Sequence, residues 1–139
     1  MRHRLTSRRR RKSFIILTAL SFTGLLAIPQ AQSEPQTLAG GWTGGGIVAY
    51  ASGERERARC RANYSEGSSA ILLNATCATQ SGNVSQDARL HKTGANSYSG
   101  TFFNSQYNTN GSIHVVVRGN TQSVTISSGS ASASLTLHR

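Results

Sequence analysis

Residues 55–64 read R-E-R-A-R-C-R-A-N-Y, and this strict alternation constrains the fold more than any other feature of the chain. Arg55, Arg57, Arg59 and Arg61 occupy odd positions, while Ala58, Cys60, Ala62 and Tyr64 occupy even ones. Successive side chains of a strand point to opposite faces. A period of two therefore puts four guanidinium groups on one face and the small and aromatic residues on the other. A helical winding would scatter both sets around its circumference. The segment reads as one strand of a sheet with a single apolar face.

The rest of the chain repeats the pattern. Ile71, Leu73, Ala75 and Cys77 share a face within residues 69–78, and Ser65-Glu66-Gly67-Ser68 supplies turn chemistry between the two runs. Trp42, Ile47, Val48 and Tyr50 belong to a Gly-rich first strand over residues 41–52. Further short runs follow at Val84–Ala88–Leu90, Tyr98–Gly100–Phe102, Ile113–Val115–Val117, Val124–Ile126 and Leu135–Leu137, separated by polar, Gly-containing stretches. Eight short strands with turns between them predict an all-β antiparallel meander. Curling it into a small closed or strongly curled barrel covers the apolar face and removes exposed edges. The apolar side chains are expected to do no more than fill such an interior.

The N-terminus carries a different message. Residues 1–12 hold Arg2, Arg4, Arg8, Arg9, Arg10, Arg11 and Lys12 with no acid, and residues 14–28 run uncharged for 15 positions. Pro29 ends the run, and Ala31-Gln32-Ser33 places small residues two apart. This is the layout of a cleavable signal peptide over residues 1–33, with cleavage after Ser33 and Ala31 as the alternative. A retained anchor is the competing reading, although the run is shorter than the roughly 20 residues of a bilayer span. Arg10-Arg11-Lys12-Ser13-Phe14 leaves open whether export uses a twin-arginine signal. The expected organisation is the signal peptide, an arm at residues 34–40, and one β domain at residues 41–139. No stable membrane span is expected after cleavage, and the mature protein is placed in the periplasm or outside the cell.

The leader also dominates the charge. The whole chain has a net charge of +10, but after Ser33 there remain 8 basic and 5 acidic residues, a net of +3. Inferring a nucleic-acid partner from the whole-chain charge would mistake targeting chemistry for function, so none is expected. Ser, Thr, Gly and Asn make up 47 of the 106 residues that follow Ser33, so the core is thin. Cys60 and Cys77, the only cysteines, are read as a disulfide in an oxidising compartment. A loop of that size contributes about 3 kcal/mol by loop-closure arguments. The turn at residues 65–68 leaves the pair diagonal rather than opposite, so the register stays open.

No reactive constellation stands out. Serines, the acids Glu34, Glu54, Glu56, Glu66 and Asp87, and His91, His114 and His138 include no nucleophile-elbow motif and no metal-ligand spacing. Gly44-Gly45-Gly46 lacks the Lys-Ser/Thr of a phosphate loop and reads as a place of close backbone approach. The expectation is a non-catalytic domain with no cofactor and no metal. Arg55, Arg57, Arg59 and Arg61, about 6.6–6.8 Å apart along one face, form the candidate binding face for an anionic envelope polymer or a protein. Glu54, Glu56 and Glu66 would partly neutralise that face.

Gly40-Gly41-Trp42 resembles the G-x-W that opens the first strand of lipocalins and related calycin barrels. The resemblance implies that Trp42 plugs one barrel end beneath a late arginine, Arg118 or Arg139. An early Trp strand followed by two cysteines is similar to small barrel inhibitors of secreted bacterial proteases. A wider resemblance covers most of the chain after residue 40. Gly41-Trp42-Thr43-Gly44-Gly45-Gly46, Ser52-Gly53-Glu54-Arg55-Glu56-Arg57 and Cys60-Arg61-Ala62-Asn63-Tyr64 resemble small exported proteins of rhizobia and related alphaproteobacteria. So do Leu73-Asn74-Ala75-Thr76-Cys77-Ala78, Ser99-Gly100-Thr101-Phe102 and Arg118-Gly119-Asn120-Thr121-Gln122-Ser123-Val124. Phe102 stands where that group would have Trp, and the stretch before Arg118 is shorter. The resemblance implies a periplasmic, disulfide-bonded β domain and assigns no activity. A protein- or polymer-binding module, a small-ligand carrier and a protease inhibitor are the three functions carried forward.

Overall fold

The computed structural model describes Gly24 and residues 26–31 and 37–139. Most of the expected signal peptide, its cleavage point at Ser33 and residues 34–36 of the arm lie outside the described residues. The chain divides into two units, Met1–Ser33 and Glu34–Arg139. The second holds the fold. Its strands are β1 (Gly40–Tyr50), β2 (Arg55–Glu66), β3 (Ile71–Thr79), β4 (Gly82–Lys92), β5 (Ser97–Asn104), β6 (Thr109–Arg118), β7 (Thr121–Ser128) and β8 (Ala131–His138). Each pairs antiparallel with the next, and β8 pairs back onto β1, so the meander closes into a barrel. The strands are longer than the short runs expected from the sequence, because pairing extends through polar residues that carry no hydrophobic signal.

Alternation decides what fills the barrel. Ala58, Cys60, Ala62 and Tyr64 of β2 are buried, while Arg55, Arg57, Arg59 and Arg61 are exposed. Leu73, Leu90, Phe102, Ile113, Val115, Val117, Val124, Leu135 and Leu137 complete the interior from the other strands. The outer wall is largely hydroxylated, as in Ser123, Thr125 and Ser127 of β7 and Ser132, Ser134 and Thr136 of β8. That pattern suits a water-facing wall; a lipid-facing barrel carries its apolar residues outside.

Glycine sets the seam. A Cβ on Gly44 would lie 2.1 Å from the Thr136 carbonyl oxygen, and one on Gly46 only 1.9 Å from that of Ser134. The Gly-rich run thus lets β1 approach β8 closely where the sheet closes. Gly111 is a different case, since the Phe102 ring of the paired strand occupies the space where its Cβ would be.

The β2–β3 connection corrects one expectation. Its turn is Gly67 to Ala70, with Gly67 N–H donating to the Ala70 carbonyl at 2.8 Å, two residues later than the sequence suggests. The shift places Cys60 directly opposite Cys77. They form the disulfide, with Cα atoms 4.1 Å apart.

Candidate functional site: one sealed end and one open end

The two ends of the barrel are built from different residue types. At the first, Trp42 is buried at the start of β1, and its indole N–H donates to the Leu38 carbonyl at 2.9 Å. The guanidinium of Arg139 sits 4.4 Å from the Trp42 ring centroid and donates to the Ala39 carbonyl at 3.4 Å. Leu38, which the sequence assigns to the arm, is only 1% exposed and belongs to the core. Deeper in, the Tyr64 hydroxyl donates to Gln122 Oε1 at 2.8 Å. Burial pushes the Tyr64 phenol well above its ordinary range, partly offset by that hydrogen bond. Gln122 Nε2 is buried with no hydrogen-bond partner among the described residues. This end is sealed.

Arg139 therefore takes the position over Trp42, and Arg118 does not. Arg118 is the exposed last residue of β6, opposite Thr121 in the turn to β7. The pairing of β8 with β1, Thr43 against His138, is what brings Arg139 beside the start of the first strand.

The opposite end is open. A cavity of about 570 Å³ is lined there by residues including Val48, Cys77, Val84, Phe102, Ile126 and Leu135. Its mouth is formed by the β1–β2, β3–β4, β5–β6 and β7–β8 connections, represented by Ser52, Ser81, Tyr107 and Ser130. Tyr107 is 57% exposed at this rim. Its backbone N–H is held by Asn104 Oδ1 at 3.0 Å, and the neighbouring Asn108 has φ 47°, a conformation that asparagine tolerates better than most residues. The expectation that side chains fill the interior is thus corrected. The bulky residues Trp42, Tyr64, Leu90 and Tyr98 gather toward the sealed end, leaving smaller ones such as Ala131 and Ala133 at the open one.

Glu56 requires a second correction. Its charge groups it with the acids expected to neutralise the arginine face, but its even position places it inside, 6% exposed. Tyr50 donates its hydroxyl proton to Glu56 Oε2 at 3.2 Å, and Ser81 Oγ donates to Oε1. These bonds, that from Ser81 foremost, hold the Glu56 carboxyl below its ordinary range despite the partial loss of hydration. Burial, and then the Glu56 carboxylate, push the Tyr50 phenol upward. The signal was present in the sequence, since Glu56 shares parity with Ala58 and Cys60.

Arg55, Arg57, Arg59 and Arg61 stand on the outer wall, next to Ala49, Ile47, Gly45 and Thr43 of β1. Among the described residues no group of three or more His, Cys, Asp or Glu could hold a metal ion. Asp87 and His91, both exposed on β4, stay apart, and Asp87 instead accepts from Asn74 Nδ2 at 2.8 Å.

These features define the class as a closed eight-stranded meander barrel with one plugged end and one open cavity. No known protein family matches the sequence, and no curated protein does. Solved structures do match in fold. The chain is similar to a redesigned β-barrel, mFAP1, bound to DFHBI, at a TM-score of 0.61 and 10% identity over 73% of this chain and 94% of that one. It is also similar to a de novo designed fluorescence-activating β-barrel, at a TM-score of 0.58 and 15% identity over 76% of this chain and 95% of that one. At such identities the likeness is one of fold alone.

Proposed function

We propose that the protein is an exported, non-catalytic barrel that binds a small, largely apolar ligand through its open end. The observation that carries this reading is the single-ended cavity. Its volume of about 570 Å³ lies within the roughly 300–1,000 Å³ range of small-molecule sites, and its wall is apolar over most of its area, with hydroxyl, amide and carboxyl side chains interspersed. The redesigned barrel bound to DFHBI is of similar fold, which supports a small-ligand role for a barrel of this kind. Export rests on the leader sequence, and the Cys60–Cys77 disulfide is consistent with an oxidising compartment. The resemblance to rhizobial exported proteins points the same way.

The test is titration of the purified protein with N-phenyl-1-naphthylamine, a neutral dye that brightens in apolar surroundings. Saturable enhancement, abolished when Ala133→Trp fills the cavity, is the expected result. No enhancement with any apolar probe would contradict it.

A second reading is carried by the outward row Arg55, Arg57, Arg59 and Arg61. It makes the wall of β2 a contact for an anionic envelope polymer or an acidic protein. Binding of a polyanion such as heparin should fall steeply with added salt and be lost in Arg57→Gln/Arg59→Gln. Salt-independent binding, or none, would remove that role.

A further inference from the structure

The open end differs in charge from the rest of the barrel. Four of the chain's arginines stand on the outer wall of β2, yet no arginine, lysine or histidine lines the cavity. Glu54 lines its mouth, and Glu56 lies just behind Tyr50 and Ser81, which also line it. No cationic side chain thus lines this cavity, although the chain is basic.

The hydroxyl groups at the mouth reinforce this. Tyr50 and Ser81 donate their protons to Glu56. Thr79 Oγ1 donates to the Gly82 carbonyl at 3.1 Å, and Ser128 Oγ to the Ala131 carbonyl at 3.0 Å. A hydroxyl has a single proton and two lone pairs. Once that proton is committed to the protein, the oxygen can meet a ligand only as an acceptor. The amides of Asn104 and Gln86, and hydroxyls such as those of Ser52 and Tyr107, also in the lining, keep protons to donate. The rim therefore combines acceptor oxygens and the Glu54 carboxylate over an apolar well, backed by the Glu56 carboxylate that Tyr50 and Ser81 hold in its ionised form.

We propose that the open end selects ligands with a hydrogen-bond-donating cation, an alkyl- or arylammonium group, on a compact apolar body. This rests on the reading that the cavity binds small ligands. The apolar body enters the well between Val48, Phe102 and Ile126, and the ammonium stays at the rim, facing Glu54 and the Tyr50–Glu56–Ser81 set. A carboxylate or sulfonate on the same body meets the like charge of Glu54 and Glu56 with only neutral donors, and no cation, to offset its lost hydration. The difference is one of specificity, created as much by repulsion of anions as by attraction of cations.

The experiment uses three ligands with one ring system: 1-naphthylmethylammonium, 1-naphthylmethanol and 1-naphthoate. Each competes at pH 7 against N-phenyl-1-naphthylamine on the purified exported protein. The expected order is ammonium, then alcohol, then carboxylate, with at least about tenfold between first and last. In Glu56→Gln that ratio should fall toward one. Glu54→Gln, an exposed position whose folding is insensitive to the change, should lower the ratio by a smaller factor. A carboxylate that binds as well as the ammonium, or a ratio unmoved in both variants, overturns the inference and leaves the cavity reading intact. Failure of the dye and all three naphthyl compounds to bind overturns both.

Discussion

The sealed and open ends of this barrel are built from the same strands, yet they use their inward residues for opposite purposes. At the sealed end Trp42, Leu38, Tyr64 and Leu137 are packed to near-complete burial, and Arg139 covers the indole. At the open end Val48, Ile126 and Ala133 are only partly buried, and the polar groups are tied into one another. The first arrangement maximises apolar burial, the main favourable term in folding. The second leaves apolar surface unfilled, which costs stability. Stability should therefore reside at one end and selectivity at the other.

The largest blow to that division would come from Trp42→Ala. Truncating a buried aromatic of this kind costs about 3–5 kcal/mol, so chemical denaturation should show a loss of that order. A cost below about 1 kcal/mol, the scale of ordinary surface changes, would mean that the plug is not what holds the barrel. Next comes the disulfide between β2 and β3. Cys60→Ser/Cys77→Ser should cost about 3 kcal/mol, measurable as a lowered denaturation midpoint that reducing agent no longer changes. Arg139→Gln should remove about 0.5–1 kcal/mol from the cover over Trp42 and shift its indole fluorescence, whereas Arg118→Gln should do neither.

The open end is probed by acid. Glu56 titrates below its ordinary value of 4.5 in the folded protein. Its contribution to stability is thus complete above that ordinary value and disappears as the pH falls through the depressed one. Thermal unfolding below about pH 4.5 should decline less steeply in Glu56→Gln than in the parent protein; identical slopes would show that Glu56 is not held in its ionised form. The smallest expected effect on stability is that of Tyr107→Ala, within about 0.5 kcal/mol for an exposed position. Its effect should instead appear in ligand affinity, because Tyr107 stands at the mouth.

The fold was largely legible because strand alternation is a local signal. Arg55 to Tyr64 declares its two faces without reference to any other part of the chain. Glu56 was equally legible by parity, but its charge suggested the surface and outweighed its position. The choice of Arg139 over Arg118 was not legible, since it depends on the register with which β8 closes against β1. The cavity depends on still more distant information. Counting apolar residues says whether an interior can be filled on average. Where it remains empty depends on how eight registers stack the large residues toward one end. Trp42 begins β1, Tyr64 lies near the end of β2 and Tyr98 near the start of β5, and only the alternating strand directions bring all three to the same end. The disulfide shows the same limit on a smaller scale, because moving the β2–β3 turn by two residues changes the cysteines from diagonal to opposite.

The central claim, that one end is sealed and the other accepts a ligand, is tested most directly by amide and indole NMR during titration with 1-naphthylmethanol. Trp42 is the only tryptophan, so its indole resonance reports on the sealed end without ambiguity. The account predicts saturable shifts at Tyr50, Ser81, Asn104 and Ser128, with the Trp42 indole and Gln122 unmoved. Shifts centred on Trp42, or spread evenly over the outer wall, would contradict it.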